Sequence, residues 1–232
     1  MKLKKTILVI DDKDQTREIE NIQEDLNSRF EITYVGIWTA QPQFRKEGSN
    51  DPDINKLRSE IKSVYDSYHH FDLILSDFDL NAKGIVDGID LIEYIKDLKP
   101  KAKILMYSGN YTDAVRKLIQ NPTNQLTELQ VAEAVSKFIN YKLVDCTDRI
   151  SYRNRTVAYF KENKEISIID ELIKLLYEHG DMTFNSCCPK YKGKKFYEIA
   201  MELERGNNSY TDEWVMAMIH QTIAYLVEVN NL

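Results

Sequence analysis

The sequence is poor in cysteine, in positive charge and in long apolar runs, and each shortage closes off a class of protein. Three cysteines in 232 residues, Cys146, Cys187 and Cys188, are too few and too unevenly placed for a disulfide framework, which points to a reducing, cytoplasmic compartment. No run of about 18 apolar residues occurs, so no transmembrane helix is expected. The basic start Met1-Lys-Leu-Lys-Lys5 leads into only Ile7 to Ile10 before two acids, too short for a signal peptide. Lys and Arg number 31 against 37 Asp and Glu, and the net charge of −6 with a pI near 5.4 argues against a general nucleic-acid-binding surface. No internal repeat or low-complexity tract is evident. What remains, 43% hydrophobic and 29% charged, is an ordinary globular composition, long enough for one large or two small domains.

The informative stretch is Phe71-Asp-Leu-Ile-Leu-Ser-Asp-Phe-Asp-Leu-Asn81. Leu73, Ile74 and Leu75 have the bulk and branching of a strand buried on both faces, and the run ends in Asp77 and Asp79. Open α/β sheets hold their ligands at the C-terminal ends of parallel strands. Thr6-Ile-Leu-Val-Ile-Asp-Asp12 repeats the pattern, so Asp11, Asp12 and Asp77 are expected to meet at one sheet edge. Three carboxylates that close repel one another unless a hard cation neutralises them, which suggests a Mg²⁺ site. A third strand, Ala102 to Ser108, ends in a hydroxyl with Gly109 behind it for a tight turn.

On these residues the sequence resembles the receiver domain of two-component response regulators, over roughly residues 4 to 145. That family has an acid pair after its first strand, a phosphate-accepting Asp after its third and a Ser or Thr after its fourth. The resemblance implies a flavodoxin-like doubly wound α/β fold with a parallel five-stranded sheet. It implies Asp77 as phosphoacceptor, Mg²⁺ held by Asp11, Asp12, Asp77 and the backbone carbonyl of Asp79, and Ser108 as a donor to the phosphoryl oxygens. It also implies a Lys at the end of the fifth strand, for which Lys142 is chosen and Lys137 is the alternative, with that strand placed within Val135–Lys142. A histidine kinase or phosphotransfer protein is the implied phosphoryl donor, and the chain would catalyse at most its own phosphoryl transfer and dephosphorylation.

Two other classes fit parts of the same residues. Leu-Ile-Leu-Ser-Asp77-Phe-Asp79-Leu also resembles the first motif of haloacid-dehalogenase-type phosphatases, a nucleophilic Asp with a general acid two residues on. That family has no use for the acid pair Asp11 and Asp12 on an earlier strand. A pseudo-receiver that only scaffolds a partner is the third alternative.

Around these strands, helices are predicted over Asp14–Asn27, Ile54–Tyr68, Ile89–Leu98, Tyr111–Gln120 and Leu126–Ala134, and a second strand from Phe30 to Val35. Insertions relative to a minimal receiver fall near 38–53 and 121–134. The receiver-like domain is drawn as 1–148, with 149–232 as a small all-α domain. Ser151–Asn163 reads either as the receiver's last helix or as a linker helix. Three amphipathic helices follow: Ile168–Glu178, with Ser167 as its cap, Lys194–Arg205, and Asp212–Val229, with Val215, Met218, Ile219, Thr222, Ile223 and Leu226 inward. Acids outnumber Lys and Arg here, and Trp214, Met216, Met218, Tyr197 and Tyr225 exceed what so small a bundle is expected to bury, so the expected partner is a protein or a second copy, not DNA or a membrane. His179 with Cys187 and Cys188 lacks the paired spacing of a zinc site. Lys190, Lys192, Lys194 and Lys195 read as a solvated loop, and His220 lacks the neighbours of a phosphotransfer histidine.

Overall fold

The computed structural model describes residues 2–80, 86–109, 127, 129, 136, 139–162, 168–185, 190–205 and 209–230. The chain divides into two compact units, 1–164 and 165–232. The first unit holds a five-stranded all-parallel sheet in the order β2-β1-β3-β4-β5, the flavodoxin-like order. The strands are β1 (Leu3–Asp11), β2 (Phe30–Trp38), β3 (Leu73–Asp77), β4 (Ile104–Ser108) and β5 (Asp145–Asp148). Their helices are α1 (Thr16–Leu26), α2 (Ile54–Tyr68), α3 (Gly88–Leu98) and α4 (Tyr152–Glu162).

The central strands are apolar on both faces because helices cover both. Leu8, Ile10, Ile74, Ile104 and Met106 pack with α2 and α3, while Ile7, Val9, Leu73, Leu75, Leu105 and Tyr107 pack with α1 and α4. Each such side chain contributes about 1.5–3 kcal/mol on burial. The helices start where their caps allow: Asp53 accepts the Asn55 N–H at the head of α2, and Asp87 forms a capping box with Asp90 at the head of α3. Register carries the site. Ile10 pairs with Ser76, Asp77 with Tyr107 and Ser108 with Asp148, so the ends of β1, β3, β4 and β5 form one edge.

Two boundaries differ from expectation. The fifth strand is Asp145–Asp148, not a segment of Val135–Lys142, where the described residues Ser136, Ile139 and Asn140 are helical. β5 lies at the sheet edge and is short and polar, so it lacks the apolar run that marks a buried strand. The second difference is the domain boundary, which falls at 164/165 rather than 148/149. Helix α4 belongs to the first unit because Tyr152, Val157 and Phe160 complete the core on the α1 side and Arg153 pairs with Asp25 at 2.9 Å. The insertion near 38–53 is anchored by a 3₁₀ turn, Pro42–Phe44, that buries Phe44. Nearly all of the insertion at 121–134, the helix expected over Tyr111–Gln120 and the cap Ser167 lie outside the described residues.

The second unit contains α5 (Ile168–Glu178), α6 (Phe196–Arg205) and α7 (Ser209–Asn230). Its core joins Ile173, Leu176, Phe184, Tyr191, Ile199, Leu203, Trp214 and Val215. Trp214, expected in surplus, is buried edge-on against Phe184 and tilted against Tyr191. Of the residues expected inward on α7, Val215 is buried and Met218 and Ile219 are half-buried, but Thr222 and Ile223 are exposed. The reason is length: 22 residues rise about 33 Å, against about 15–17 Å for α5 and α6. The side chains of Leu226 and Tyr225, and Cys187 and Cys188, lie outside the described residues. No described helix is long and apolar enough to cross a membrane.

Candidate functional site

At the C-terminal edge of the sheet, β1 and β3 end in Asp11 and Asp77, both fully buried, with Asp12 beside them at a quarter exposed. One carboxylate oxygen from each of the three lies within 4.8 Å of the others. Asp11 is held on both sides: its Oδ1 accepts the Lys13 backbone N–H at 2.9 Å and its Oδ2 the Tyr107 hydroxyl at 2.6 Å. Among the described residues, Asp12 Oδ1 and Asp77 Oδ1 are buried without a hydrogen-bond partner. Buried acceptors so placed call for a ligand. An all-oxygen, anionic donor set fits a hard divalent cation such as Mg²⁺.

The electrostatics follow from burial among like charges. Loss of solvent raises Asp77 to about 7, with the charge of Asp11 adding to the rise and Arg149 opposing it. Burial raises Asp11 to about 6 against the lowering pull of the Tyr107 hydroxyl and the Lys13 amide. Tyr107 itself is pushed well up, first by burial and then by Asp11.

Close backbone packing sets the position of Asp77. The Gly88 N–H donates to the Phe78 carbonyl at 2.9 Å, and a Cβ on Gly88 would lie 2.4 Å from the Asp77 carbonyl oxygen. On the other side Thr39 ties β1 to the chain after β3, its amide donating to the Asp11 carbonyl and its hydroxyl to that of Leu80, each at 2.8 Å. Ser108 is buried at the end of β4, and its hydroxyl donates to Asp79 Oδ2 at 3.0 Å.

The structure therefore brings Asp11, Asp12, Asp77 and Ser108 to one edge. It does not bring Lys142 there. That residue is exposed and precedes β5, at the opposite end of the strand, where it closes a helical turn with φ 46° and its N–H on the Ile139 carbonyl. Lys137 lies outside the described residues. Among the described residues, the cation beside the acids is Arg149, the residue immediately after β5. Its guanidinium is in ion-pair contact with Asp77 Oδ2, with the same Nη2 at 3.6 Å from Asp11 Oδ1 and 3.9 Å from Asp12 Oδ1. It also lies over the ring of Tyr107, which stacks on Tyr152 at 4.3 Å. Once Asp145–Asp148 is recognised as the strand, the basic residue at its end is Arg149. In the sequence alone the apolar pair Phe138 and Ile139 carries a stronger strand signal than the polar Asp145–Asp148.

The chain is similar to response-regulator receiver domains of solved structure. A receiver protein from Pseudomonas putida is 16% identical over 70% of this chain and 100% of its own, with a TM-score of 0.40. The isolated receiver domain of RcsB from Salmonella enterica serovar Typhimurium, determined with the phosphomimetic BeF₃⁻, is 14% identical over 70% of this chain and 92% of its own, with a TM-score of 0.39. RcsB from the same organism bound to the promoter rprA is 14% identical over 90% of this chain and 92% of its own, with a TM-score of 0.38. No family model and no curated protein matches the sequence.

Proposed function

We propose that the chain is a phosphoacceptor signalling protein in which Asp77 takes a phosphoryl group from phosphohistidine on a kinase or phosphotransfer protein, and in which the helical unit 165–232 passes the result to a protein partner or a second copy in the cytoplasm. The observation that carries this reading is the Asp77 carboxylate, fully buried at the end of β3 beside two further acids, with one oxygen free of hydrogen-bond partners among the described residues.

In the reaction an Asp77 oxygen attacks phosphorus in line with the departing imidazole. The P–N bond breaks as the acyl phosphate O–P bond forms, and the imidazole nitrogen takes a proton from solvent. Asp11, Asp12, Asp77 and the Asp79 carbonyl would hold Mg²⁺, which supplies positive charge to the phosphoryl oxygens. Ser108 is positioned to turn its hydroxyl from Asp79 to a phosphoryl oxygen. Tyr107 and the Lys13 amide keep Asp11 fixed, and Gly88 keeps the Asp77 backbone at its edge position.

The test is incubation with acetyl phosphate and Mg²⁺ followed by intact-protein mass spectrometry. An acid-stable, base-labile adduct present in wild type and absent in Asp77→Asn is expected. An adduct unchanged in the variant refutes the assignment. Multiple turnover of a generic phosphoester, lost in Asp79→Asn, would instead support the phosphatase class.

A further inference from the structure

The acid cluster contains a cation of the chain's own. One nitrogen of Arg149 reaches all three carboxylates, in contact with Asp77 Oδ2 and within 4.0 Å of an oxygen of Asp11 and of Asp12. Those are the groups a divalent cation would use, and Asp12 Oδ1, 3.9 Å from the guanidinium, is one of the two buried oxygens without a hydrogen bond among the described residues. A guanidinium is charged at any working pH and its fork of donors matches carboxylates, so it serves as a permanent counter-ion where a neutral group would leave the acids exposed to one another. Two positive centres drawing on one set of oxygens oppose each other.

We propose that Arg149 is a built-in counter-ion that competes with the divalent cation for Asp11, Asp12 and Asp77, so that loading the site drives the guanidinium out of the acid cluster. Arg149 is thus a positioning residue, and its side chain has two places to be. In one it lies among the acids. In the other it has swung outward, where a third of its side chain is already exposed to solvent. The switch is tied to an element. Asp148, the residue before it, holds the turn that leads into α4 by accepting the amides of Ile150 and Ser151 at 2.9 Å each and the Ser151 hydroxyl at 2.8 Å. A guanidinium that moves therefore moves at the root of the helix that leads toward residue 164. The inference rests on the metal-binding, phosphoacceptor reading of the site.

The probe is Mn²⁺ alone, titrated by electron paramagnetic resonance at pH 8 and low ionic strength into full-length wild type, Arg149→Gln and Arg149→Lys. Arg149→Gln should bind at least about tenfold more tightly than wild type, with Arg149→Lys between them. Equal or weaker binding by Arg149→Gln overturns the competition while leaving the metal site standing. Failure of all three to bind, or wild-type binding that survives in Asp77→Asn, overturns the metal site as well. A second measurement needs no variant to fold: in ¹⁵N-labelled wild type, the Arg149 Nε–H resonance should shift and lose exchange protection as Mg²⁺ is added. A resonance that stays protected at saturating Mg²⁺ also overturns the proposal.

Discussion

Gly88 shows how little room the site leaves its backbone. An added Cβ would sit 2.4 Å from the Asp77 carbonyl oxygen and 3.0 Å from the Phe78 Cα, both main-chain atoms that no rotamer change relieves. Gly88→Ala should cost about 1–3 kcal/mol in urea unfolding and slow the appearance of the Asp77 adduct, since the strand end must shift to admit the methyl group. The carboxylates give a second expectation. Asp77 stands at about 7 when folded against an ordinary 3.8, and Asp11 at about 6. Between those values the folded state holds protons that the unfolded chain has released, so this contribution is full below about pH 4 and is lost as pH rises through 6 to 7. Metal-free protein should therefore show a falling urea midpoint from pH 5 to pH 8, and Asp77→Asn should flatten that slope. A wild-type midpoint that climbs over the same range contradicts the burial-driven rise. At this scale Asp11, Asp12, Asp77 and Ser108 were readable from sequence because each ends an apolar run. Arg149 was not, because its strand has no apolar run to end.

Among the elements, those with two-sided burial or a clean helical stripe were legible. The limits of α2 match the sequence reading, since Leu57, Ile61 and Tyr65 repeat every fourth residue and Asp53 caps the start. β5 needed no such pattern, being held by β4 on one side only. Helix α4 was ambiguous because its inward residues, Tyr152, Thr156, Val157 and Phe160, include a polar one and make a weak stripe. Its packing settles its place. Tyr152 stacks on Tyr107 and donates to Gln15 at 3.0 Å, and Arg153 holds Asp25. A chain ending at 164 should fold cooperatively and form the Asp77 adduct. One ending at 148 should not, because it uncovers the Ile7, Val9 and Leu105 face and removes Arg149. Circular dichroism melts of the two chains decide the matter, and equal cooperativity would return α4 to the status of a linker.

For the whole molecule, the second unit carries more apolar surface than its core accounts for. On α7, Met216, Ile223, Val227 and Val229 are each about half exposed, and no charged residue interrupts the helix between Glu213 and Glu228. Light scattering should show self-association that Ile223→Glu with Val227→Glu abolishes, while the adduct on Asp77 still forms. A monomeric wild type at high micromolar concentration would refute this. The surplus of large side chains was visible in the sequence, but which of them stay outside depended on helix length beyond the bundle. The contact between Arg149 and Asp77 spans 72 residues of chain, and that distance is also a delay. At about 5–20 residues per second of synthesis, the ribosome delivers all three acids roughly 4–14 seconds before the residue that balances them. Throughout that interval the nascent sheet edge carries its three acids without that guanidinium, so a chain stalled short of residue 149 leaves Arg149's share of the balance to the ions of its surroundings.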